Sequence, residues 1–583
     1  MSLSEDCIRE IIEYLSDDKR SLYSCLLTNR LFCRFVIPIL WRNPWINIDL
    51  KCIDSKEKNY WNILGRTIIK CFLQEIKNSP FLLKKFNKDL LLLLQKQPLF
   101  NYVLYIQIIS LDVINKLIKG IFGNIDDKKI IQKYQKKFWT FFMKRCSKIK
   151  YLDMPNFNIF EFSISKRSLL SLSILKVNII TCPEEIILEL SKNIHNLKRI
   201  EFCLDNIESE NSIYHNSTIS DLSDSDSEDI SIMSEENLKY NDNISTLILS
   251  QKNLREIKFI YVRSMVNLFK KKTIEHLSNS LRILELCNCT YLPIQAITNF
   301  INLTELKICF HSFDYNEDDV NDNNFKGVYL SKLEILSLLN FREKDLILVA
   351  KLIETTKDTL KILNIRPHTN NAIEVITNNT TYTIDTTLLS RNTSPSPLSI
   401  EYYLHAIKMM CSNIEVLPVW LGSTSLEEFE DLLKSCSKLK KIIIYATKSF
   451  NNILTKKILH LLAIKSSSPL LINIHLIGEW KFSNLELEFF FNLWKEMGRK
   501  PLEFFSKNNI YYIYIKSNYI FKYSKQYKCK LCNDIFDKLE YSYFHLITTH
   551  FKKTPICCWN DCGSDHLFNF IQITSTFITN KKI

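Results

Sequence analysis

The sequence predicts an α/β fold built by stacking one short strand-and-return unit many times along the chain. The first observation is the run from Leu281 to Leu292, in which Leu281, Leu284 and Leu286 are separated mainly by polar residues and Cys289 follows. Residues two apart in a strand point to the same side, so these apolar side chains are expected to face a core. A single unit cannot cover its own apolar face, so the fold requires further copies.

The second observation is that the same register recurs through most of the chain, at intervals of roughly 20 to 30 residues. Two intervals are about twice as long, and each contains a polar insertion. Regular spacing in this range is typical of repeats that stack into a solenoid. The other copies are Ile149/Leu152/Met154, Leu172/Leu175/Val177, Leu197/Ile200/Phe202, Leu254/Ile257/Phe259, Leu303/Leu306/Ile308, Leu333/Leu336/Leu338, Leu360/Leu363/Ile365, Ile414/Leu417/Val419, Leu439/Ile442/Ile444 and Leu471/Ile474/Leu476.

The run Leu-x-x-Leu-x-Leu-x-x-Cys-x-x-Leu resembles the strand-and-turn half of a leucine-rich repeat. The resemblance implies that the three spaced apolar side chains of each copy point into the core and that Cys289 packs under the turn. The predicted fold class is therefore α/β, with a leucine-rich-repeat solenoid over residues 146–500.

Composition disfavours nucleotide-dependent enzymes. Only 8 glycines are present, and none stands in the G-x-G-x-x-G or G-x-x-x-x-G-K order that nucleotide sites require. No G-x-S-x-G or H-E-x-x-H motif occurs either. We therefore expect a protein without enzymatic activity.

Cysteine usage and the N-terminus indicate an intracellular, soluble protein. The 18 cysteines are scattered singly, and the first residues are acidic where a signal peptide would be basic and then apolar. The longest apolar region, 90–111, is interrupted by Gln95-Lys-Gln-Pro98, so no stretch of membrane length is expected. We expect a cytoplasmic or nuclear location. The net charge of +13 comes from lysines spread along the chain, which favours a solvated surface over a nucleic-acid site.

The first 45 residues predict three short helices. Ile8, Ile11, Ile12 and Leu15 follow the helical period after a capping Ser4. A second apolar face follows after the polar turn at residues 16–20, and a third segment, 31–40, is interrupted by Pro38.

The stretches Leu3-Ser-Glu-Asp-Cys-Ile-Arg-Glu-Ile-Ile-Glu-Tyr-Leu15 and Pro38-Ile-Leu-Trp-Arg-Asn-Pro-Trp45 resemble an F-box. They are most similar to the F-box-like leucine-rich-repeat proteins abundant in some fungi, with Ser4 and Asp6 at the usual Pro and Glu positions. The resemblance implies that the first two helices of this domain, residues 1–45, dock on the small adaptor subunit of a cullin-RING ubiquitin ligase. The alternative is a cap that shields the first repeat. The implied docking residues are Leu3, Ile8, Ile11, Leu15, Leu22, Cys25 and Leu26.

Three further segments interrupt or extend the array. Residues 46–145 are read as a helical linker and irregular first repeats, with a possible first strand at 99–106. Residues 208–237 are rich in Ser and acids, and residues 367–399 are rich in Thr and Asn and end in Ser-Pro-Ser-Pro, so we expect both insertions to be disordered. Possible phosphorylation sites are Ser223, Ser225 and Ser227, with a plain solvent loop as the alternative.

The C-terminal segment, 520–583, contains Cys529-x2-Cys532-x12-His545-x4-His550, which satisfies the spacing of a zinc site. It resembles a C2H2 zinc finger, which implies a ββα unit with Phe536 in its small core and with Ser542 where Leu is usual. Lys538, Tyr541 and Phe544 would face bases, and two of these are aromatics that cannot make bidentate contacts. Binding to DNA is therefore disfavoured. Cys558, Cys562 and His566 resemble an incomplete second finger.

Taken together, these patterns predict a substrate-recruiting adaptor of a cullin-RING ubiquitin ligase that binds an unknown target protein through its repeats. Two alternatives stay open: a nucleic-acid-associated zinc-finger protein and an interaction scaffold without a ligase partner.

Overall fold

In the computed structural model the chain divides into two compact units. Unit 1 comprises Met1–Leu303 with His311–Tyr315, and unit 2 comprises Thr304–Phe310 with Asn316–Ile583. The described residues are 4–45, 55–76, 98–122, 128–155, 157, 168–179, 182–203, 242–260, 269–287, 289, 294–297, 299–309, 329–341, 346–367, 372–377, 380–385, 395–422, 424–446, 452–478, 480, 482–500, 502–506, 510–513, 520–523, 526–529 and 535–536.

Unit 1 begins with helices and continues as a parallel sheet whose strands pair in chain order. Its strands are β1 (Ile108–Ile109), β2 (Tyr151–Asp153), β3 (Ile174–Asn178), β4 (Arg199–Cys203), β5 (Glu256–Ile260) and β6 (Ile283–Cys287). Its helices are α1 (Glu5–Tyr14), α2 (Lys19–Leu26), α3 (Arg30–Leu40), α4 (Ser55–Ile76), α5 (Leu111–Phe122), α6 (Lys128–Arg145), α7 (Glu184–Asn193), α8 (242–249), α9 (Lys271–Ser278) and α10 (Ile294–Ile297).

Unit 2 repeats the same plan. The strands of its main sheet are parallel except for the last, β16, which is antiparallel to β15, and β10 and β11 form a separate antiparallel hairpin. Its helices contact one another in chain order as a second layer. The strands are β7 (Glu305–Cys309), β8 (Ile335–Phe341), β9 (Ile362–Pro367), the hairpin β10 (Ala372–Thr377) and β11 (Thr380–Asp385), β12 (Val416–Leu421), β13 (Lys441–Ala446), β14 (Asn473–Ile477), β15 (Glu503–Ser506) and β16 (Ile510–Ile513). The helices are α11 (Leu346–Glu354), α12 (Pro397–Met410), α13 (Leu426–Ser435), α14 (Asn452–Ile464) and α15 (Asn484–Glu496).

The apolar positions that define the predicted repeat form the core of both units. Every side chain of those eleven copies is at most 2% exposed. They also lie in register, since Leu175 pairs with Ile200 in unit 1 and Ile442 pairs with Ile474 in unit 2. The prediction that the units stack in register is confirmed within each unit, and the arrangement is consistent with a leucine-rich-repeat solenoid.

The array extends beyond the predicted copies at both ends. Ile109, 1% exposed, pairs with Leu152, and Phe504, 2% exposed, pairs with Ile474. The prediction of a first strand at 99–106 is wrong, because Tyr102–Tyr105 is a 3-10 helix and the strand begins at Ile108.

Cys289 packs under its turn as expected. It is 2% exposed, and its Sγ donates to the carbonyl of Cys287 at 3.5 Å and to the carbonyl of Phe259, in the preceding repeat, at 3.8 Å. The thiol therefore satisfies backbone oxygens where the chain leaves the strand.

Polar side chains also link neighbouring repeats at the position three residues before the first apolar residue of the motif. Burial raises the pKa of Cys436 to about 12, so its thiol stays protonated and donates to the carbonyl of Cys411 at 3.7 Å. Donors at this position therefore reach the carbonyl at the equivalent position of the preceding repeat. The other cases are Cys146 Sγ to Val103 O at 3.3 Å and Gln251 Nε2 to Ile194 O at 2.7 Å.

The structure differs from the expected disorder of the second insertion. Strands β10 and β11 pair as an antiparallel hairpin, from Ala372 with Asp385 to Thr377 with Thr380. Their β-branched residues favour strands. Pro397 does not exclude regular structure, because it is the first residue of α12, where no N–H is needed, and Ser396 caps that helix. The first insertion, 208–237, lies outside the described residues.

Strands β9 and β12 separate after a single pair, Val416 with Ile362. The next amide of β12 to face β9 belongs to Pro418, which has no N–H to donate. Two carbonyls that would have joined the strands accept from tyrosines instead: Tyr403 Oη donates to Pro418 O at 2.6 Å, and Tyr445 Oη donates to Ile365 O at 3.3 Å. The rings of Tyr445 and Trp420 stack at 4.7 Å, so aromatic side chains form much of this junction.

Candidate partner-binding surfaces

Helices α1 to α3 form a small module with its own core. The core residues are Ile8, Ile12, Leu22, Val36 and Ile39, all at most 9% exposed. Helix α1 begins as predicted, with the Ser4 hydroxyl accepting from the amide of Cys7 at 3.3 Å. Helix α3 continues through Pro38 to Leu40, so the proline does not end it.

The module separates the predicted docking residues into two groups. Ile8 and Leu22 lie in its core, so they stabilise the module and have little surface to offer a partner. Leu15, Cys25 and Leu26 are half-buried against that core. Ile11 is 50% exposed, and Leu3 lies outside the described residues. A helical period alone cannot tell which apolar positions meet the module's own core.

Three exposed apolar side chains of the module are absent from the docking residues that the sequence predicts. Tyr14 on α1 is 94% exposed, and Tyr23 on α2 and Leu27 directly after it are 48% and 89% exposed. Tyr14 follows Ile11 by three residues, so the two lie on one face of α1. The signal was present in the sequence as apolar residues outside the helical stripe that the core uses.

The module is joined to the first repeat by side-chain and backbone contacts. Arg42, which follows α3, forms a bidentate ion pair with Glu13 of α1. Its carbonyl accepts from the amide of Gln107, next to β1, at 3.0 Å. The ring of Trp41 lies 4.4 Å from that of Tyr102. The helical module and the start of the sheet are therefore held in a defined arrangement.

The outward face of the unit 1 sheet carries alternating charges. The residue between the second and third apolar positions is acidic or basic in turn along the strands, and neighbours pair. Lys176 Nζ lies 3.6 Å from Asp153, and Lys258 Nζ lies 2.8 Å from Glu285. These charges largely neutralise each other. The set is Asp153, Lys176, Glu201, Lys258 and Glu285.

Asp153 is the most buried member of this set, at 5% exposed. Burial raises its pKa to about 6, and the ammonium of Lys176 opposes part of that rise. Its carboxylate also accepts from the amide of Leu111 at 3.4 Å.

The outward face of the unit 2 sheet is more apolar. Ile443 and His475 are paired neighbours there, and Trp420 and Tyr445 lie on the same side of their strands. His475 is 9% exposed, and burial together with the nearby Lys441 lowers its pKa to about 3. The imidazole is therefore neutral at physiological pH.

The predicted zinc ligands are largely outside the described part of the chain. Strands β17 (Ile520–Tyr523), β18 (Gln526–Cys529) and β19 (Ile535–Phe536) form a small antiparallel sheet, and Cys529 ends β18. Within the described residues no group of three His, Cys, Asp or Glu side chains has an arrangement that could hold a metal. Cys532, His545 and His550 lie outside them, as do Ser223, Ser225 and Ser227.

Comparisons with known proteins do not identify a family for this chain. No protein-family model matches the sequence, and no curated protein is similar enough to match it. Among solved structures, an internalin from Listeria monocytogenes str. 4b F2365 is similar to 59% of this chain over 89% of its own length, with 10% identity and a TM-score of 0.27. The likeness to a leucine-rich-repeat solenoid therefore rests on the strand register and on the buried motif positions. None of the helices in the described segments has the length and apolar character to cross a membrane.

Proposed function

We propose that this chain is a substrate-recruiting subunit of a cullin-RING ubiquitin ligase. Its N-terminal module would bind the adaptor subunit, and its repeats would bind the target protein. The observation that carries the proposal is the set of exposed apolar side chains on α1, on α2 and directly after α2, beside a module core that is complete without them.

The energetics of these side chains favour a partner. Burying an exposed Leu, Ile or Tyr side chain stabilises a complex by roughly 1.5 to 3 kcal/mol before the cost of association. Ile11, Tyr14, Tyr23 and Leu27 are each about half exposed or more. Single exposed apolar residues are common, but four within residues 11–27 of one small module favour an interface. This mode of recognition, with apolar helix faces in a groove, is the one that the F-box resemblance implies.

The tie between the module and the first repeat also supports the proposal. A recruiting subunit has to hold its target at a set position relative to the ligase. The Arg42–Glu13 ion pair and the Trp41–Tyr102 contact restrict motion between the module and the start of the sheet.

The test is capture of the full chain by the purified adaptor subunit. We expect Ile11→Asp with Leu27→Asp to reduce capture by at least about tenfold, because two charges would be placed in an apolar interface. Leu170→Asp is the matched control, since Leu170 is 73% exposed but lies in the repeats. Undiminished capture of the double variant, or equal loss with the control, would show that the module does not dock in this way.

Zinc is a second part of the proposal. Cys529, Cys532, His545 and His550 would bind one ion, which would hold the β18–β19 hairpin to the segment that carries the histidines. The proposal is supported by the ligand spacing and by the position of Cys529 at the end of β18.

The zinc content of the purified full chain tests this part. We expect His545→Ala with His550→Ala to lower the bound zinc by about one equivalent per chain. His460→Ala, at an exposed position of α14, should leave the content unchanged. Equal zinc content in all three proteins would refute this ligand set.

A further inference from the structure

A row of basic residues runs across the strands of unit 1 at the edge where the strands begin. Each member directly follows the first apolar residue of its repeat, and backbone hydrogen bonds join the members in order. The amide of Lys198 donates to Ser173 O at 2.7 Å, and that of Arg255 donates to Lys198 O at 2.9 Å. We call Lys150, Ser173, Lys198, Arg255 and Arg282 the cationic row.

The row carries four cations and no acid. Lys150, Lys198 and Arg255 are exposed and form no ion pair with any residue that the structure describes. The Nη1 of Arg282 donates to the carbonyl of Asn302 at 3.3 Å. Most other cations on this face are paired, as Lys258 is with Glu285 at 2.8 Å.

At the equivalent positions of unit 2, acidic and basic residues alternate and pair. There the same backbone ladder joins Glu334, Lys361, Glu415 and Lys440. Lys361 Nζ lies 2.8 Å from Glu334, and Lys440 Nζ lies 2.7 Å from Glu415. These positions therefore accommodate acid–base pairs, and unit 1 has cations alone.

We infer that the cationic row binds an extended acidic segment of a partner protein, laid across the strands. Neighbouring strands are about 4.8 Å apart and alternate residues of an extended chain about 7 Å apart, so long Lys and Arg side chains can reach successive carboxylates. This inference deepens the proposed function, on which it rests, by naming the chemistry of the recruited target.

The width of the row favours a peptide over nucleic acid. Acidic residues lie beside it on the same strands: Glu256, with its side chain 33% exposed, directly follows Arg255, and Glu201 and Glu285 lie slightly further along. These carboxylates therefore bound the row on the side toward the strand ends. The major groove of duplex DNA is about 12 Å wide, so a duplex would bring phosphates over these carboxylates. A single strand would gain from stacking on aromatic residues, which the row lacks.

The test is fluorescence anisotropy of the full chain with a labelled peptide of alternating Glu and Ser. We expect binding that weakens as salt is added. We expect a variant with Lys150→Glu, Lys198→Glu and Arg255→Glu to bind the peptide at least about tenfold more weakly. Three attractions between a cation of the chain and a carboxylate of the peptide would become repulsions between carboxylates. The matched control is Lys271→Glu, Lys272→Glu and Lys457→Glu, which changes the net charge equally at exposed helix positions.

Each outcome decides the inference. Loss of peptide binding in the row variant, with binding retained in the control, supports the inference. A second variant with Gln at the same three positions removes the charges without introducing acids, so it separates loss of binding from misfolding. Equal binding by both variants, no binding of the peptide to the unaltered chain, or tighter binding of an oligonucleotide of equal charge overturns it. Adaptor capture by the row variant should be unchanged, so failure here is distinguishable from failure of the proposed function.

Discussion

Replacing Arg499 by leucine is expected to lower the free energy of unfolding of unit 2 by about 3 kcal/mol. Its guanidinium donates to three carbonyls in the last turn of α14 and just after it: Nε to Ala463 O at 2.9 Å, Nη1 to Ser468 O at 3.0 Å and Nη2 to Ser466 O. It also lies 4.9 Å from the ring of Trp494. Leucine would leave these oxygens without their donor and would remove the positive charge near the C-terminal end of a helix.

The measurement for Arg499→Leu is hydrogen exchange of peptides spanning 452–478, compared with the unaltered chain. Arg499→Lys should fall between the two, because it keeps the charge but cannot bond three carbonyls in the same fork. Lys495→Leu, an exposed change on the neighbouring helix, is the control. If Arg499→Leu exchanged no faster than Lys495→Leu, the guanidinium would contribute nothing to this junction.

Replacing Gln251 by leucine is expected to cost unit 1 about 2 to 4 kcal/mol, since two buried backbone groups would lose their partners. Gln251 is 1% exposed. Its Nε2 donates to Ile194 O at 2.7 Å, and its Oε1 accepts from the amide of Leu197 at 3.1 Å. The side chain therefore joins the repeats on either side of the first insertion. Leucine has a similar volume, so the loss would be mainly polar.

Faster exchange over 186–203 in Gln251→Leu would show this loss, with midpoint temperatures of the full chain as a second readout. Gln132→Leu, at an exposed position of α6, is the control and should change neither. A result in which the two substitutions behave alike would mean that the amide is not needed to join these repeats.

Most of the repeat array was predictable because its core is periodic in the sequence. Each motif position is buried in a strand or within two residues of one, and the strands lie in register, so the spacing of Leu and Ile predicts the fold directly. The ends were less predictable. The strand at Ile109 is two residues long, and the repeat with Phe504 has the polar Ser506 in the register of Leu476.

The surfaces could be predicted only in part. Helical spacing identified Ile8, Ile11 and Leu22 together, but only packing shows that Ile8 and Leu22 face the module's core. The cationic row was visible in principle, since Lys198 follows Leu197 as Arg255 follows Leu254. Its members are far apart in the chain, and their alignment becomes evident only when the backbone ladder joins them.

The separation of β9 from β12 has a consequence for how unit 2 unfolds. In an array of repeats, cooperativity passes through each interface between neighbours. At this interface the backbone contributes one strand pair, Val416 with Ile362, so the packing of α11 against α12 and the hydrogen bond from Tyr445 Oη to Ile365 O carry much of the coupling. Removing the Tyr445 hydroxyl is therefore expected to weaken the coupling between the repeats before and after this point.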